Sequence, residues 1–337
     1  MSAEHTPTLR PNRRNVLAGL AALGWFSVSS SPARALADET PAPSGRLLDI
    51  DGRGLWVDDS GPRDAPVILY IHGGPGVGAL EFETYMKPVL AGRARVVSVD
   101  QRGVLRSDPI AADDAVTVAD TVADFEGIRK ALGIQKWQVV GHSFGGNFAM
   151  HYAIDHPDSV TRLTLENPAY DVPSSSHWLA ASAAQQLNGE FPEAAVEANR
   201  LAQASTPVDF DFFTKLGETM GVLGEHRQDL YVAQDKNRDM FSRLAATAGL
   251  PDERWEQGQI PGLAMLRAAD FVAPMLNRVA DVSVPMLLVR GDADHATSPD
   301  EIAALLDAGA TMTTVENAGH FIHVEEPAKF AEILTTF

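Results

Sequence analysis

A serine set between glycines, Gly141-His142-Ser143-Phe144-Gly145, follows the apolar run 137–140 and precedes a stretch of helical periodicity at 146–156. This strand–turn–helix setting constrains the fold more than any other feature of the chain. So cramped a turn holds the serine Oγ clear of the backbone, and the glycines let neighbouring segments approach it closely. The first N–H groups of the following helix have no intrahelical acceptor, which leaves the Phe144 N–H placed to bind an oxyanion. Ser143 therefore reads as a nucleophile.

The rest of the chain supplies the sheet that such a turn needs. The runs 67–71, 95–99, 160–165 and 286–289 are short, mostly apolar and β-branched, and bounded by Gly, Pro and Asp, as strands covered on both faces are. Between them, 117–132 and 146–156 have helical spacing, with Gly133 as a C-cap. The alternation predicts an α/β fold with a mostly parallel, doubly wound sheet. The segment 47–58, with its turn-like Asp51-Gly52, reads as an antiparallel hairpin at the sheet edge. From 170 to 281 the rhythm stops, and helical patterns such as 192–204 and 227–248 take over. A helical block inserted after the sixth strand is expected to cap an active site, leaving 46–169 and 282–337 as the α/β core.

Two further loops at strand ends carry chemistry. His72-Gly73-Gly74-Pro75-Gly76 directly follows 67–71, and Gly74 is the expected second oxyanion donor because Pro75 has no N–H. A phosphate loop is disfavoured, since neither a G-x-G-x-x-G pattern nor a P-loop lysine is present. Asn317-Ala318-Gly319-His320 follows the strand expected at 311–315 and precedes a helix opening near Glu325-Glu326-Pro327. His320 is the expected base, with His323 as its rival. Gly291-Asp292-Ala293-Asp294 follows 286–289, and Asp294, ahead of Asp292, is the expected acid that fixes the imidazole tautomer. His72 and His142 read as structural neighbours, because a triad needs one imidazole.

Composition removes other chemistries. The chain has no cysteine, which excludes disulfides, thiolate nucleophiles and Cys-ligated metals. No His/Asp/Glu run has metal-ligand spacing, so neither a metal nor an organic cofactor is expected. With 45 acidic against 27 basic residues, a net charge of -18 repels phosphate backbones and argues against nucleic acid as a partner. At the N-terminus, Arg13 and Arg14 precede an uncharged run at 16–28, and Ala-x-Ala sites follow at 33–35 and 35–37. This is the layout of an export signal, and its paired arginines resemble the twin-arginine type. The expectation is a signal at 1–37, a linker at 38–45, and a periplasmic or secreted protein with no stable membrane association once the signal is removed.

The order Ser143, Asp294, His320 is that of α/β-hydrolases. Within that superfamily the sequence resembles the proline iminopeptidase branch. The resemblance rests on HGGPG at 72–76, on Asp100-Gln101-Arg102-Gly103 with Ser107, and on GHSFGG at 141–146. It extends to 291–294 and to Gly319-His320 with Glu325 and Pro327, and spans 47–337 apart from the helical block. It implies the α/β-hydrolase fold, oxyanion N–H groups from Gly74 and Phe144, Asp294 over Asp292, and His320 over His323. Relatives that cleave N-terminal proline carry Trp after the nucleophile, where this chain has Phe144, and hold the substrate ammonium with cap glutamates. Trp255-Glu256 is similar to one such segment, which makes Glu256 the expected substrate-binding residue. The resemblance thus implies a serine aminopeptidase or amidase acting on a small molecule or short peptide. A carboxylic ester hydrolase or lactonase for small apolar substrates is the alternative, and a non-enzymatic ligand-binding protein on this fold is a remote one.

Overall fold

A computed structural model describes residues 45–204 and 207–336. The expected export signal, and the linker apart from Gly45, lie outside the described residues. Eight strands form one sheet: β1 (Arg46–Ile50), β2 (Arg53–Ser60), β3 (Val67–Ile71), β4 (Arg95–Val99), β5 (Trp137–His142), β6 (Val160–Glu166), β7 (Met286–Gly291) and β8 (Thr311–Val315). Their spatial order is β1-β2-β4-β3-β5-β6-β7-β8, antiparallel at β1/β2 and β2/β4 and parallel elsewhere. The edge hairpin turns at Asp51 and Gly52, with φ of 51° and 79°, as a tight two-residue turn requires.

Helices α1 (Leu80–Leu90), α2 (Val118–Ala131) and α3 (Gly145–Asp155) follow β3, β4 and β5 in turn. Six helices lie between β6 and β7: α4 (Val172–Leu187), α5 (Pro192–Ala202), α6 (Phe210–Gly221), α7 (Met240–Thr247), α8 (Asp252–Gln257) and α9 (Gln259–Leu266). The chain closes with α10 (Pro299–Asp307), α11 (Ile322–Glu325) and α12 (Pro327–Thr336).

Strand side chains alternate between two dry faces, which is why the runs are mostly apolar. Ile68 and Tyr70 of β3 pack with Phe82 and Met86 of α1 and Phe330 of α12. Leu69 and Ile71 join Phe125 of α2 and Phe148 and Tyr152 of α3 on the opposite face. α2 starts where the sequence places it. The Thr117 hydroxyl accepts the Asp120 N–H at 3.0 Å, and the Asp120 carboxylate accepts the Thr117 N–H at 3.3 Å, which closes a capping box. Gly133, at φ 65°, ends it by donating its N–H to the Lys130 carbonyl at 3.0 Å.

Between β6 and β7 the described residues form helices and turns, with no strand. Phe213 and Leu216 of α6 belong to the same apolar cluster as the sheet's Leu69 and Leu165, so this cap and the core share one interior. One expectation needs correction. The helical spacing at 227–248 is broken into 3-10 turns at Gly224–Leu230 and Asp235–Asn237, followed by α7. The Tyr231 carbonyl accepts the His320 N–H at 2.6 Å, and the Gln234 N–H donates to the Glu325 carboxylate at 2.7 Å. Backbone groups that a continuous helix would pair internally are thus drawn to the C-terminal loop.

Candidate active site

Ser143 stands between β5 and α3 with φ 52°, a left-handed conformation that costs a non-glycine residue roughly 1–3 kcal/mol and persists where its surroundings enforce it. Its N–H donates to the Glu166 carbonyl at 3.1 Å, and its carbonyl accepts from Gly146 at 2.8 Å and Ala169 at 2.9 Å. The turn also lies hard against the end of β3. A Cβ at Gly145 would stand 2.2 Å from the Ile71 carbonyl oxygen, so only glycine fits there.

The loop after β3 is braced through His72 rather than using it. The buried ring accepts the Gln101 N–H at Nε2 (3.2 Å), and the Gln101 amide donates to the His72 carbonyl at 3.1 Å. Burial lowers the His72 pKa, which keeps it neutral and able to accept. The neighbouring Asp100 is fully buried. It accepts the Ala79 N–H at 2.9 Å and the Arg106 guanidinium at 2.6 Å, while Arg106 also reaches Glu83 at 2.7 Å. Burial by itself would raise the Asp100 carboxyl, but Arg106 holds it below its ordinary value. The HGGPG and DQRG segments are therefore one hydrogen-bonded unit.

His320 Nδ1 lies 2.9 Å from Asp294 Oδ1, with both side chains buried. Asp294 also accepts the N–H groups of Ala296 at 3.0 Å and Thr297 at 3.2 Å. Burial opposes its ionisation, yet His320 and these hydrogen bonds keep the carboxyl below its usual range. An ionised Asp294 can only accept, so the imidazole proton sits on Nδ1 and Nε2 carries the lone pair. Nε2 is buried without a hydrogen-bond partner among the described residues.

Ser143, His320, Gly74 and Phe144 line one cavity of about 900 Å³, counted to its open mouth, whose walls come from both the core and the cap. Asp292 is exposed and accepts the Ala318 N–H at 3.2 Å, without a bond to His320. The rival histidine, His323, is tied to Glu166 through Nδ1 at 2.8 Å and is not in the cavity wall. His142, Glu166 and His323 place one ligand atom each within 4.8 Å of one another, a juxtaposition that spacing in sequence does not show. Burial pushes the His142 pKa well down, whereas Glu166 outweighs burial and raises that of His323. The His323–Glu166 hydrogen bond lies beneath the elbow, with the His142 ring 4.9 Å from that of His320.

Glu256 requires correction. It is exposed on α8 and does not line the cavity, because Trp255 takes the buried side of this short helix. Residues that sequence reasoning passed over hold the base loop instead. Asn167 donates to the Gly319 and His320 carbonyls, both at 2.9 Å, and accepts the Gly291 N–H at 3.0 Å. Glu325 accepts the Gly319 N–H at 2.5 Å, so it orders this loop as well as standing before the last helix. The polar short residue at the end of β6 is the only local signal for Asn167.

The sequence pattern of the α/β hydrolase fold family matches residues 66–327. Over 140 residues the chain is 38% identical to the proline iminopeptidase of Neisseria gonorrhoeae, covering 41% of this chain and 44% of the relative. Over 128 residues it is 41% identical to that of Xylella fastidiosa (strain 9a5c), covering 37% of this chain and 40% of the relative. The chain thus spans less than half the length of these curated relatives. Its structure is similar to that of a proline iminopeptidase-related protein from Thermus thermophilus, with a TM-score of 0.67 and 26% identity over 86% of this chain and 95% of the other.

Proposed function

We propose, for a chain that belongs to the α/β-hydrolase fold family, a serine hydrolase working through a covalent acyl-enzyme, with amide or peptide cleavage of the proline iminopeptidase type as its reaction. One observation carries the reading: Ser143, His320, Gly74 and Phe144 face one cavity while Asp294 holds His320 at 2.9 Å.

His320 Nε2 takes the Ser143 proton as Oγ attacks the substrate carbonyl. The Gly74 and Phe144 N–H groups receive the oxyanion, and loss of one such donor typically costs about 10²–10³ in turnover. The imidazolium then protonates the leaving group, and water repeats the attack with His320 as base. The buried Asp294 stabilises the imidazolium in a low-dielectric setting without itself taking the proton.

The partial match to proline iminopeptidases supports the amide side of this chemistry. A second reading, hydrolysis of a carboxylic ester or lactone, is favoured by the cavity wall, where no described lining residue is Asp or Glu. An N-terminal ammonium would need such a carboxylate. Wild type and Ser143→Ala, compared on a prolyl arylamide and a short p-nitrophenyl ester, separate the two. Ser143-dependent arylamide cleavage supports the peptidase, ester cleavage alone supports the second reading, and equal turnover by Ser143→Ala overturns both.

We place the protein outside the cytoplasm on the pattern at 1–37; no helix among the described residues is long and apolar enough to cross a membrane. Cytoplasmic retention of a variant with Arg13→Lys and Arg14→Lys supports this, and undiminished export contradicts it.

A further inference from the structure

The cap meets the oxyanion loop backbone to backbone. Gly76, at φ 96°, has no room for a side chain, because a Cβ there would stand 2.1 Å from the Gly258 carbonyl oxygen. The exclusion is mutual: a Cβ at Gly258 would stand 2.5 Å from the Gly76 carbonyl oxygen. Gly258 joins α8 to α9 at φ -58° and ψ -19°, a conformation open to any residue. The close approach, not the backbone angle, therefore requires glycine here. Gly262 follows four residues on, on the same face, inside α9 where glycine weakens a helix. A Cβ at Gly262 would stand 3.0 Å from the Pro75 carbonyl oxygen.

Side chains of α8 fasten the same segment to the loop after β4. The Gln257 amide donates to the Gly103 and Leu105 carbonyls at 3.2 and 3.1 Å. The Arg254 guanidinium donates to the Ser107 carbonyl at 3.1 Å. Trp255 is buried beside Val104 and Leu105 in a small apolar cluster. This loop is also the one whose Gln101 braces His72, so the cap segment holds the HGGPG stretch directly and through its support. Gly74, Pro75, Gly258 and Gly262 line the cavity together with Ser143. What the cap touches here is the backbone that carries the Gly74 N–H.

We propose that Gly258 is a positioning residue: its contact with Gly76 sets the place of the Gly74 N–H, so the oxyanion is fully stabilised only when the α8–α9 segment is seated. This rests on the acyl-enzyme reading above and holds for amide and ester substrates alike. An oxyanion donor acts at roughly 2.7–3.1 Å from the developing charge, and a misplacement of about 1 Å can cost about 10²-fold in rate. Alanine at position 258 has to push Gly76 aside or lift the cap, since its Cβ cannot rest 2.5 Å from a carbonyl oxygen. Either way the loop loses its support two residues after Gly74.

The test compares inhibition by n-pentyl trifluoromethyl ketone with that by the carbinol of the same skeleton, in wild type, Gly258→Ala, Gln257→Glu and Glu256→Gln. Ser143 Oγ adds to the ketone carbon and leaves a tetrahedral oxyanion, with the serine proton on His320, whereas the carbinol only fills the cavity. The affinity ratio of ketone over carbinol is expected to fall about tenfold or more in Gly258→Ala. A smaller fall is expected in Gln257→Glu, which keeps its size and loses its N–H donors, and none in Glu256→Gln on the exposed side of α8. An unchanged ratio in Gly258→Ala overturns the proposal, and so do equal losses for both ligands, which mark a merely disordered cavity. A wild type that does not prefer the ketone overturns the acyl-enzyme reading, and the proposal is then decided by hydrogen exchange. Amide exchange over 73–78 is expected to quicken in Gly258→Ala and Gln257→Glu but not in Glu256→Gln. Unchanged exchange in Gln257→Glu overturns the proposal even if Gly258→Ala does not fold.

Discussion

Around the Asp100 loop of the core, charged side chains are buried and bound to several partners at once, whereas on the outer helices of the cap they form exposed ion pairs. Asp100, fully buried, takes both a backbone N–H and a guanidinium that continues to Glu83. Arg238 and Asp235 of the cap pair at 3.0 Å with the aspartate 92% exposed, and Arg200 and Glu197 form another exposed pair one helical turn apart. One glycine from each region makes the same contrast. Gly145 abuts the Ile71 carbonyl, while Gly189 has nothing within 4 Å of a Cβ. The loop ends of the core are over-determined because they bring Ser143, His320 and Asp294 together, whereas exposed cap residues need only cover them.

The sharpest contrast is in activity. Asp294→Asn is expected to lower kcat by about 10⁴ by disturbing the His320 tautomer, while Glu256→Gln leaves steady-state kinetics unchanged. A large loss in the second variant would break the assignment of catalytic weight to the core. In stability, Asp100→Asn removes one of the two carboxylates that hold Arg106, leaving Glu83, and is expected to cost about 1–3 kcal/mol in urea denaturation, against no measurable shift in midpoint for Glu197→Gln. Gly145→Ala is expected to cost roughly 1–3 kcal/mol through overpacking, and Gly189→Ala to leave the midpoint unchanged or slightly higher.

A pH-dependent effect lies on the seam between the two regions. Burial raises the Glu301 carboxyl from 4.5 to about 8, so between those values the folded state holds a proton that the unfolded chain has released. The stabilising contribution is complete below the unfolded pKa and is lost as pH rises through the folded one. Denaturation midpoints near pH 5 and pH 9 are expected to differ less in Glu301→Gln than in wild type; an identical dependence contradicts the shift.

The core was legible because its demands are local. A nucleophile at a strained turn needs glycine within two positions, a dry strand needs a mostly apolar run, and a helix start needs a residue such as Thr117. The cap was legible only as a block of helices. The helix expected at 227–248 fails because Tyr231 and Gln234 find partners about ninety positions away, and no local pattern encodes that distance. Glu256, expected from the resemblance, is exposed and lies outside the cavity wall. Asn167 was missed for the same reason: its three bonds reach loops that come together only in the folded sheet.

The central claim is that Ser143 is a nucleophile activated by His320. Labelling with a fluorophosphonate, followed by peptide mass analysis, addresses it without knowledge of the substrate. One adduct per chain on Ser143, absent from Ser143→Ala and formed much more slowly by His320→Gln, is the predicted result. Stoichiometric labelling at another residue, or labelling of Ser143 at an undiminished rate in His320→Gln, would contradict it.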